Sequence, residues 1–309
     1  MKTKPINRRW LLSAGTAALL WPTGARPQSD QRPPEGGIGG TGIVGTLTDF
    51  GSLIVAGNKV ETDPDTRISN AFGAIGEGQL KIGDTLTIEA SRTSSGLRAG
   101  RVQVDYPLVG RIERVSFGGR VLEVNGTPVI LEGSARPQPV GRRVAVSGLW
   151  RGPDVIASAI TTVPDGPDLI SGTVDRSLLQ SSIGNVVLRG RGRGVLSSGG
   201  FATVLGRYDS TSRTFQATET RAERFVGAAG PLQSLAIEGY LEPDAGAPGF
   251  RISGLGHSFT RNLSLERFGT RRVLFTGGYT GRFAAERGLI LPEDPRERRT
   301  LLRRISTQG

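Results

Sequence analysis

The sequence predicts an all-β protein built from about four copies of a small barrel or rolled-sheet module. Glycine contributes 46 and proline 18 of the 309 residues, so turns must be frequent. The glycines follow no collagen period, and short runs of alternating apolar and β-branched residues occur along the chain. These runs favour many short strands over disorder, although the hydrophobic content is only 36%.

A repeated pattern supports the number of copies. Four glycines each open an alternating apolar strand, at intervals of 58, 58 and 70 residues, and each strand reaches a small residue seven or eight positions later. The glycines are Gly83, Gly141, Gly199 and Gly269, and the small residues are Ala90, Gly148, Gly206 and Gly277. Because a unit of about five short strands buries little surface, we expect the copies to pack on one another.

A hairpin precedes the opening glycine in the first two copies. In the second copy, Asn125-Gly126 lies between two short apolar runs, and this pair is typical of a type I′ turn. Gly57-Asn58 occupies the matching place in the first copy. The pattern is looser in the third and fourth copies.

These signals divide the chain into seven parts. The parts are an export signal (1–25), a disordered Pro/Gly linker (26–36), β-modules at 37–106, 107–165, 166–224 and 225–292, the last of them diverged, and a basic C-terminal tail (293–309).

The N-terminus has the pattern of an export signal. A basic stretch that includes Arg8 and Arg9 precedes an apolar run of 12 residues from Trp10 to Trp21, and Ala25 offers a small residue for cleavage. The paired arginines resemble a twin-arginine signal, and a general secretory signal is the alternative. The run is shorter than the roughly 20 apolar residues of a membrane span. We therefore expect no transmembrane span and a periplasmic or otherwise extracytoplasmic protein, soluble after cleavage.

Composition excludes most familiar catalytic and metal-binding chemistry. The chain has no cysteine and a single histidine, His257, so it offers no thiolate site and no multi-histidine cage. A Ser-His-Asp triad could use only His257, which lies in a glycine-bounded turn and is expected at the surface. Glu61, Asp63 and Asp65 straddle a proline and predict a turn, with calcium binding or general acid/base work as the alternative.

A glycine motif at the start of the predicted modules imitates a dinucleotide-binding loop. Residues Gly37 to Gly42 match G-x-G-x-x-G, a motif that needs a strand before it and a helix after it. Pro33 and Pro34 precede it, and strand-like sequence follows it. We therefore expect neither a bound dinucleotide nor any other cofactor.

The chain is basic, and arginine dominates its charge. The formal net charge is +11, and it falls to +7 without the four basic residues of the export signal. Arg189, Arg191 and Arg193 alternate with glycines, which favours a solvated strand edge, with contacts to an anionic polymer as the alternative.

The tail predicts a short basic helix. Asp294 is a candidate N-cap, Pro295 fits the first helical position, and Leu301, Leu302 and Ile305 lie along one side. We expect this helix to cap the last module, and contact with an anionic membrane surface is the alternative.

Three stretches carry a family resemblance. "GGIGGTGIVGTLTDFGSLIVAG", "LKIGDTLTIEA" and "GRVQVDYPLVGRI" resemble the bacterial family called domain of unknown function 5666. The likeness is strongest over about residues 37–163 and weaker to about residue 290. The resemblance implies an exported protein of repeated modules similar to an OB-type barrel, and it implies no catalytic or ligand-binding residues.

These observations predict an exported, non-enzymatic protein with an interaction or scaffold role in the cell envelope. Its partner would be another protein or an envelope polymer, and nucleic acid is not expected. Two alternatives stay open. The first is an OB-like binder of anionic polymer that uses Arg189, Arg191 and Arg193, and the second is a hydrolase that acts through carboxylates such as Asp63 and Asp65.

Overall fold

The prediction of an all-β fold is confirmed by a computed structural model of the chain. The structure describes residues 39–133, 138–177, 179–191, 196–243, 250–252, 263 and 268–307, which belong to one compact unit. The predicted export signal and linker, Arg193 and His257 lie outside the described residues. In the described part of the chain, no helix combines the length and the apolar character of a membrane span.

The first barrel is a closed ring of five strands. These are β1 (Gly40–Asp49), β2 (Leu53–Val55), β3 (Asn58–Glu61), β6 (Thr85–Thr93) and β7 (Gly96–Asp105). They pair in the order β1-β2-β3-β7-β6-β1, and every contact is antiparallel except β3 with β7. This is the connectivity of an OB-type barrel. Two short strands, β4 (Arg67–Asn70) and β5 (Gly73–Ala74), continue the sheet from β7.

The next two segments of the chain each form a closed barrel of five strands, with the same order of strand pairing as the first barrel. The second barrel consists of β8 (Leu108–Ser116), β9 (Val121–Val124), β10 (Thr127–Leu131), β11 (Arg143–Arg151) and β12 (Asp154–Thr162). The third barrel consists of β13 (Asp168–Arg176), β14 (Ser181–Ile183), β15 (Val186–Gly190), β16 (Phe201–Asp209) and β17 (Thr214–Arg221). In each ring only the third and fifth strands run parallel.

The fourth segment shows part of this pairing. Its strands are β18 (Leu232–Gly239), β19 (Leu241–Pro243), β20 (Phe250–Ile252), β21 (Val273–Tyr279) and β22 (Phe283–Ile290). Strand β21 pairs with both β18 and β22, and β19 pairs with β20. Helix α1 (Pro295–Ser306) follows.

Strand pairing also joins the segments to one another. Strand β1 runs parallel to β18, so the first barrel and the fourth segment share a ten-stranded sheet. Strand β8 pairs with β13, so the second and third barrels share a second ten-stranded sheet. Buried Asn125 strengthens this second junction, because its amide donates to the carbonyls of Val109 and Leu169 at 3.0 Å each.

The small residues of the sequence pattern lie at a recurring irregularity. The register of the fourth strand shifts at Ala90, Gly148, Gly206 and Gly277, where a β-bulge brings the backbone of the fifth strand close. The four opening glycines all have positive φ, between 53° and 97°. Glycine is favoured at such turns because it has no Cβ.

The hairpin turns match one expectation and correct the other. Asn125 and Gly126 have φ values of 50° and 67°, as a type I′ turn requires. In the first barrel the two turn residues are Ala56 and Gly57, with φ values of 49° and 71°, and Asn58 begins β3. The predicted turn at Gly57-Asn58 is therefore displaced by one residue.

Replacing Gly206 by Ala is expected to destabilise the protein by about 1–3 kcal/mol. A Cβ at this position would lie 1.9 Å from the carbonyl oxygen of Gln216, and the backbone there cannot move aside without breaking the ladder. Thermal unfolding of Gly206→Ala measures the effect. Gly166→Ala is the matched control, since a Cβ at Gly166 meets nothing within 4 Å. Equal melting temperatures for the two variants would contradict the bulge geometry.

Helix α1 begins as predicted but packs elsewhere. Asp294 is the N-cap, its carboxylate accepting from the backbone N–H groups of Arg296 and Glu297, and Pro295 is the first helical residue. Leu302 is fully buried in the core of the first barrel, and Leu301 packs against that core. The helix contacts β1, β2 and β3. The expected cap on the last module is therefore a cap on the first barrel, which the pairing of β1 with β18 brings close to the end of the chain.

Candidate functional site

The glycines of the nucleotide-like motif serve packing. Strand β1 begins at Gly40, so no helix N-terminus follows the motif. A Cβ at Gly40 would lie 2.7 Å from the carbonyl oxygen of Ala229, and one at Gly42 would lie 2.8 Å from the ring of Phe225. The glycines therefore allow the segment before β18 to lie directly on β1.

The acidic cluster around Asp63 forms a turn. The carboxylate of Asp63 accepts from the backbone N–H of Asp65 at 3.0 Å and from the hydroxyl of Thr66 at 3.1 Å. Arg98 lies 3.7 Å from its other oxygen. Among the residues that the structure describes, no three His, Asp or Glu side chains are grouped so that they could hold a metal ion.

The predicted arginine contacts lie on the third barrel. Arg189 is exposed on β15, and Arg191, also exposed, follows the end of that strand. Strand β15 is paired on both sides at Val187 and Leu188, but at Arg189 it pairs only with β17. Arg189 and Arg191 thus lie at the end of β15, beyond the residues that pair with β14.

A buried charge cluster lies where the first barrel, the second barrel, the fourth segment and α1 meet. This Arg272 cluster consists of Arg272, Glu238, Glu132, Arg298 and Thr46. The guanidinium of Arg272 lies 2.6 Å from Glu238, and both side chains are fully buried. Arg272 also lies 3.5 Å from Glu132, whose other oxygen pairs with Arg298 of α1. The positive charges of the two arginines equal the negative charges of the two glutamates, so the cluster has no net charge.

The electrostatics of this cluster hold Arg272 in its charged form. Burial by itself lowers the pKa of Arg272, but the carboxylates of Glu238 and Glu132 outweigh it and raise the pKa above its ordinary value. One oxygen of Glu238 and the hydroxyl of nearby Tyr240 are buried without a hydrogen-bond partner in the described part of the chain. Burial is also the main reason why the pKa of Tyr240 is raised.

A second charge cluster joins the segment after β17 to the first barrel. In this Arg224 cluster, the guanidinium of Arg224 lies 2.7 Å from Asp105 and 2.9 Å from the hydroxyl of Thr87. Its Cζ lies 4.2 Å from the centroid of the Phe201 ring. Burial lowers the pKa of Arg224, and Asp105 opposes that shift.

Fully buried Glu89 completes this junction. Its two carboxylate oxygens accept from the backbone N–H groups of Val226 and Ala228, at 2.9 and 2.8 Å. Arg101 lies 3.3 Å from the same carboxylate and also donates to the carbonyl of Arg224. The chain between the third barrel and β18 is therefore fixed to the first barrel.

A cavity of about 280 Å³ opens between the second barrel, the third barrel and the fourth segment. Trp150, Asn185 and Arg251 contribute to its lining. Arg251 pairs with Glu242 at 2.5 Å and with Asp175 at 2.9 Å. Among the residues that the structure describes, Arg251 is the one cation lining this cavity, and it is already engaged with two carboxylates of the chain.

Sequence reasoning missed the buried arginines. Arg224 and Arg272 sit in stretches, "RAERFVG" and "GTRRVLF", that read as charged surface beside apolar strands. The position of Arg272 directly before β21 is the one local signal, because a charge next to a buried strand needs a partner if it is itself buried.

The comparisons agree with the resemblance over the first barrel. Residues 41–103 match the family model described as Domain of unknown function (DUF5666). This match confirms the family resemblance for that part of the chain, which corresponds to the five strands of the first ring. Comparison with curated proteins and with solved structures returned no match.

Proposed function

We propose that the protein is an exported, non-enzymatic interaction module with a scaffold role in the cell envelope. The observation that supports this proposal is that the buried charged side chains join separate segments of the protein. The Arg272 and Arg224 clusters and Glu89 connect β segments to one another. Such junctions hold several barrels in one body, which can present fixed outer surfaces to partners.

The alternative of a carboxylate-based hydrolase has less support. It relies on Asp63 and Asp65, and one oxygen of Asp63 is already engaged by two hydrogen bonds of its own turn. Binding of an anionic polymer is a second candidate function, favoured by the exposure of Arg189 and Arg191 on the third barrel.

Native mass spectrometry on the protein purified from its own envelope fraction tests the proposal. We expect a chain that begins near Arg26 and carries an additional protein or polymer. An unprocessed chain would contradict export. A processed chain that recovers no partner, even after chemical cross-linking in the envelope, would contradict the scaffold role.

A further inference from the structure

An arginine row crosses three adjacent strands on the outer face of the third barrel. Arg189 of β15 lies opposite Gln216 of β17, and Gln216 lies opposite Arg207 of β16. All three residues are exposed. Because directly opposed residues in neighbouring strands project to the same face, their side chains form one row. We call these three residues the arginine row.

The strands beneath the row are held at close spacing. Gly190 has a φ of 89°, and a Cβ there would lie 2.5 Å from the carbonyl oxygen of Ala217. On the inner face, Leu188 and Phe215 are fully buried. Two interstrand steps of about 4.8 Å place the backbones of Arg189 and Arg207 roughly 10 Å apart.

The row carries positive charge that no carboxylate of the described residues neutralises. In the described part of the chain, neither Arg189 nor Arg207 lies within ion-pair distance of a carboxylate, whereas Arg111 pairs with Asp165 on the surface of the second barrel. Asp209 lies two residues from Arg207, but it accepts from the backbone of Thr211 and the hydroxyl of Ser212 in its own turn.

The groups around the row suit a carbohydrate better than a nucleic acid. Thr214 and Thr218 flank Gln216 at alternate positions of β17, and the amide of Gln216 donates to the Thr214 hydroxyl at 3.3 Å. The nearby aromatic residues, Tyr208 and Phe215, pack with the core. Stacking on exposed aromatic rings is what single-stranded nucleic acid requires. On the protein, the hydroxyl and amide groups of the middle strand lie between two strands that carry guanidinium groups. An acidic polysaccharide offers the complementary order, with sugar hydroxyls between carboxylates.

We propose that the arginine row binds a linear acidic polysaccharide, an inference that rests on the proposed envelope location. The guanidinium groups of Arg189 and Arg207, whose backbones lie roughly 10 Å apart, would pair with carboxylates on alternate sugars of the polymer. Gln216 would hydrogen-bond to the sugar between them.

The test measures binding of polygalacturonate to the full chain by calorimetry at several salt concentrations. We expect the double variant Arg189→Gln/Arg207→Gln to bind about tenfold more weakly at low salt and to show a shallower salt dependence. The control is Arg282→Gln/Arg287→Gln, which removes the same charge from exposed positions of the fourth segment and should change binding less than about twofold. Arg189→Lys/Arg207→Lys should keep most of the salt dependence.

Three results would overturn the inference. These are no binding of polygalacturonate, equal weakening by the control, and tighter binding of oligodeoxythymidylate or phosphatidylglycerol vesicles than of polygalacturonate at the same row. The outcome is separable from the proposed function. If the arginine row does not bind polygalacturonate, a processed chain that carries a partner protein would still support the scaffold role.

Discussion

Replacement of Arg272 by Met is expected to lower the free energy of unfolding by about 3–5 kcal/mol. The substitution keeps much of the side-chain volume but leaves the fully buried carboxylate of Glu238 without its cation. Glu132 would keep only Arg298. Unfolding of the protein in guanidinium chloride, monitored by far-UV circular dichroism, measures the change.

A control and a double variant separate this charge effect from lost packing. Arg287→Met removes an exposed arginine and should cost less than about 0.5 kcal/mol. Arg272→Met/Glu238→Met should recover part of the loss, because the buried carboxylate is removed with its partner while Glu132 keeps Arg298. A single variant as stable as Arg287→Met would contradict the buried cluster.

Replacement of Arg224 by Met is expected to cost about 3 kcal/mol. The variant leaves the carboxylate of Asp105 and the hydroxyl of Thr87 without the guanidinium that bonds to both, and it removes the contact with the Phe201 ring. The same denaturation assay measures the stability. Limited proteolysis after β17 should become faster, because Arg224 fixes that segment to the first barrel.

Arg98→Met is the matched control for Arg224. Arg98 is half exposed and lies 3.7 Å from Asp63, so its removal should cost at most about 1 kcal/mol. Similar losses for the two variants would mean that Arg224 acts as an ordinary surface charge.

The fold was largely predictable because its turns and bulges have strict local requirements. Glycines with positive φ open the fourth strands, and small residues occupy the bulges that follow, so the pattern was visible as Gly83 and Ala90, then Gly141 and Gly148. The hairpin at Asn125-Gly126 was predictable for the same reason. The first hairpin was misplaced because Ala56, a residue with no left-handed preference, occupies the left-handed region there.

The junctions between segments could not be predicted from local sequence. Strand β1 pairs with β18 across about 190 residues, as in the contact of Ile43 with Ala236. Arg272 meets Glu238 at a separation of 34 residues, Glu132 at 140 and Thr46 at 226. Periodicity and composition describe each strand alone, so they give no information about such partners. For the same reason Arg207 was not associated with Arg189, since the register of β17 is what brings them into one row.

Native-state hydrogen exchange of β1 and β18 tests most directly the claim that the segments form a single body. The amides of Ile43 and Val44 in the first barrel and those of Ala236 and Ile237 in the fourth segment are buried along the shared parallel pairing. We predict that these amides exchange only through global unfolding and report the same free energy in both strands. Exchange of Ala236 and Ile237 at a free energy several kcal/mol below that of the first barrel would show that the fourth segment opens independently, and it would contradict the account.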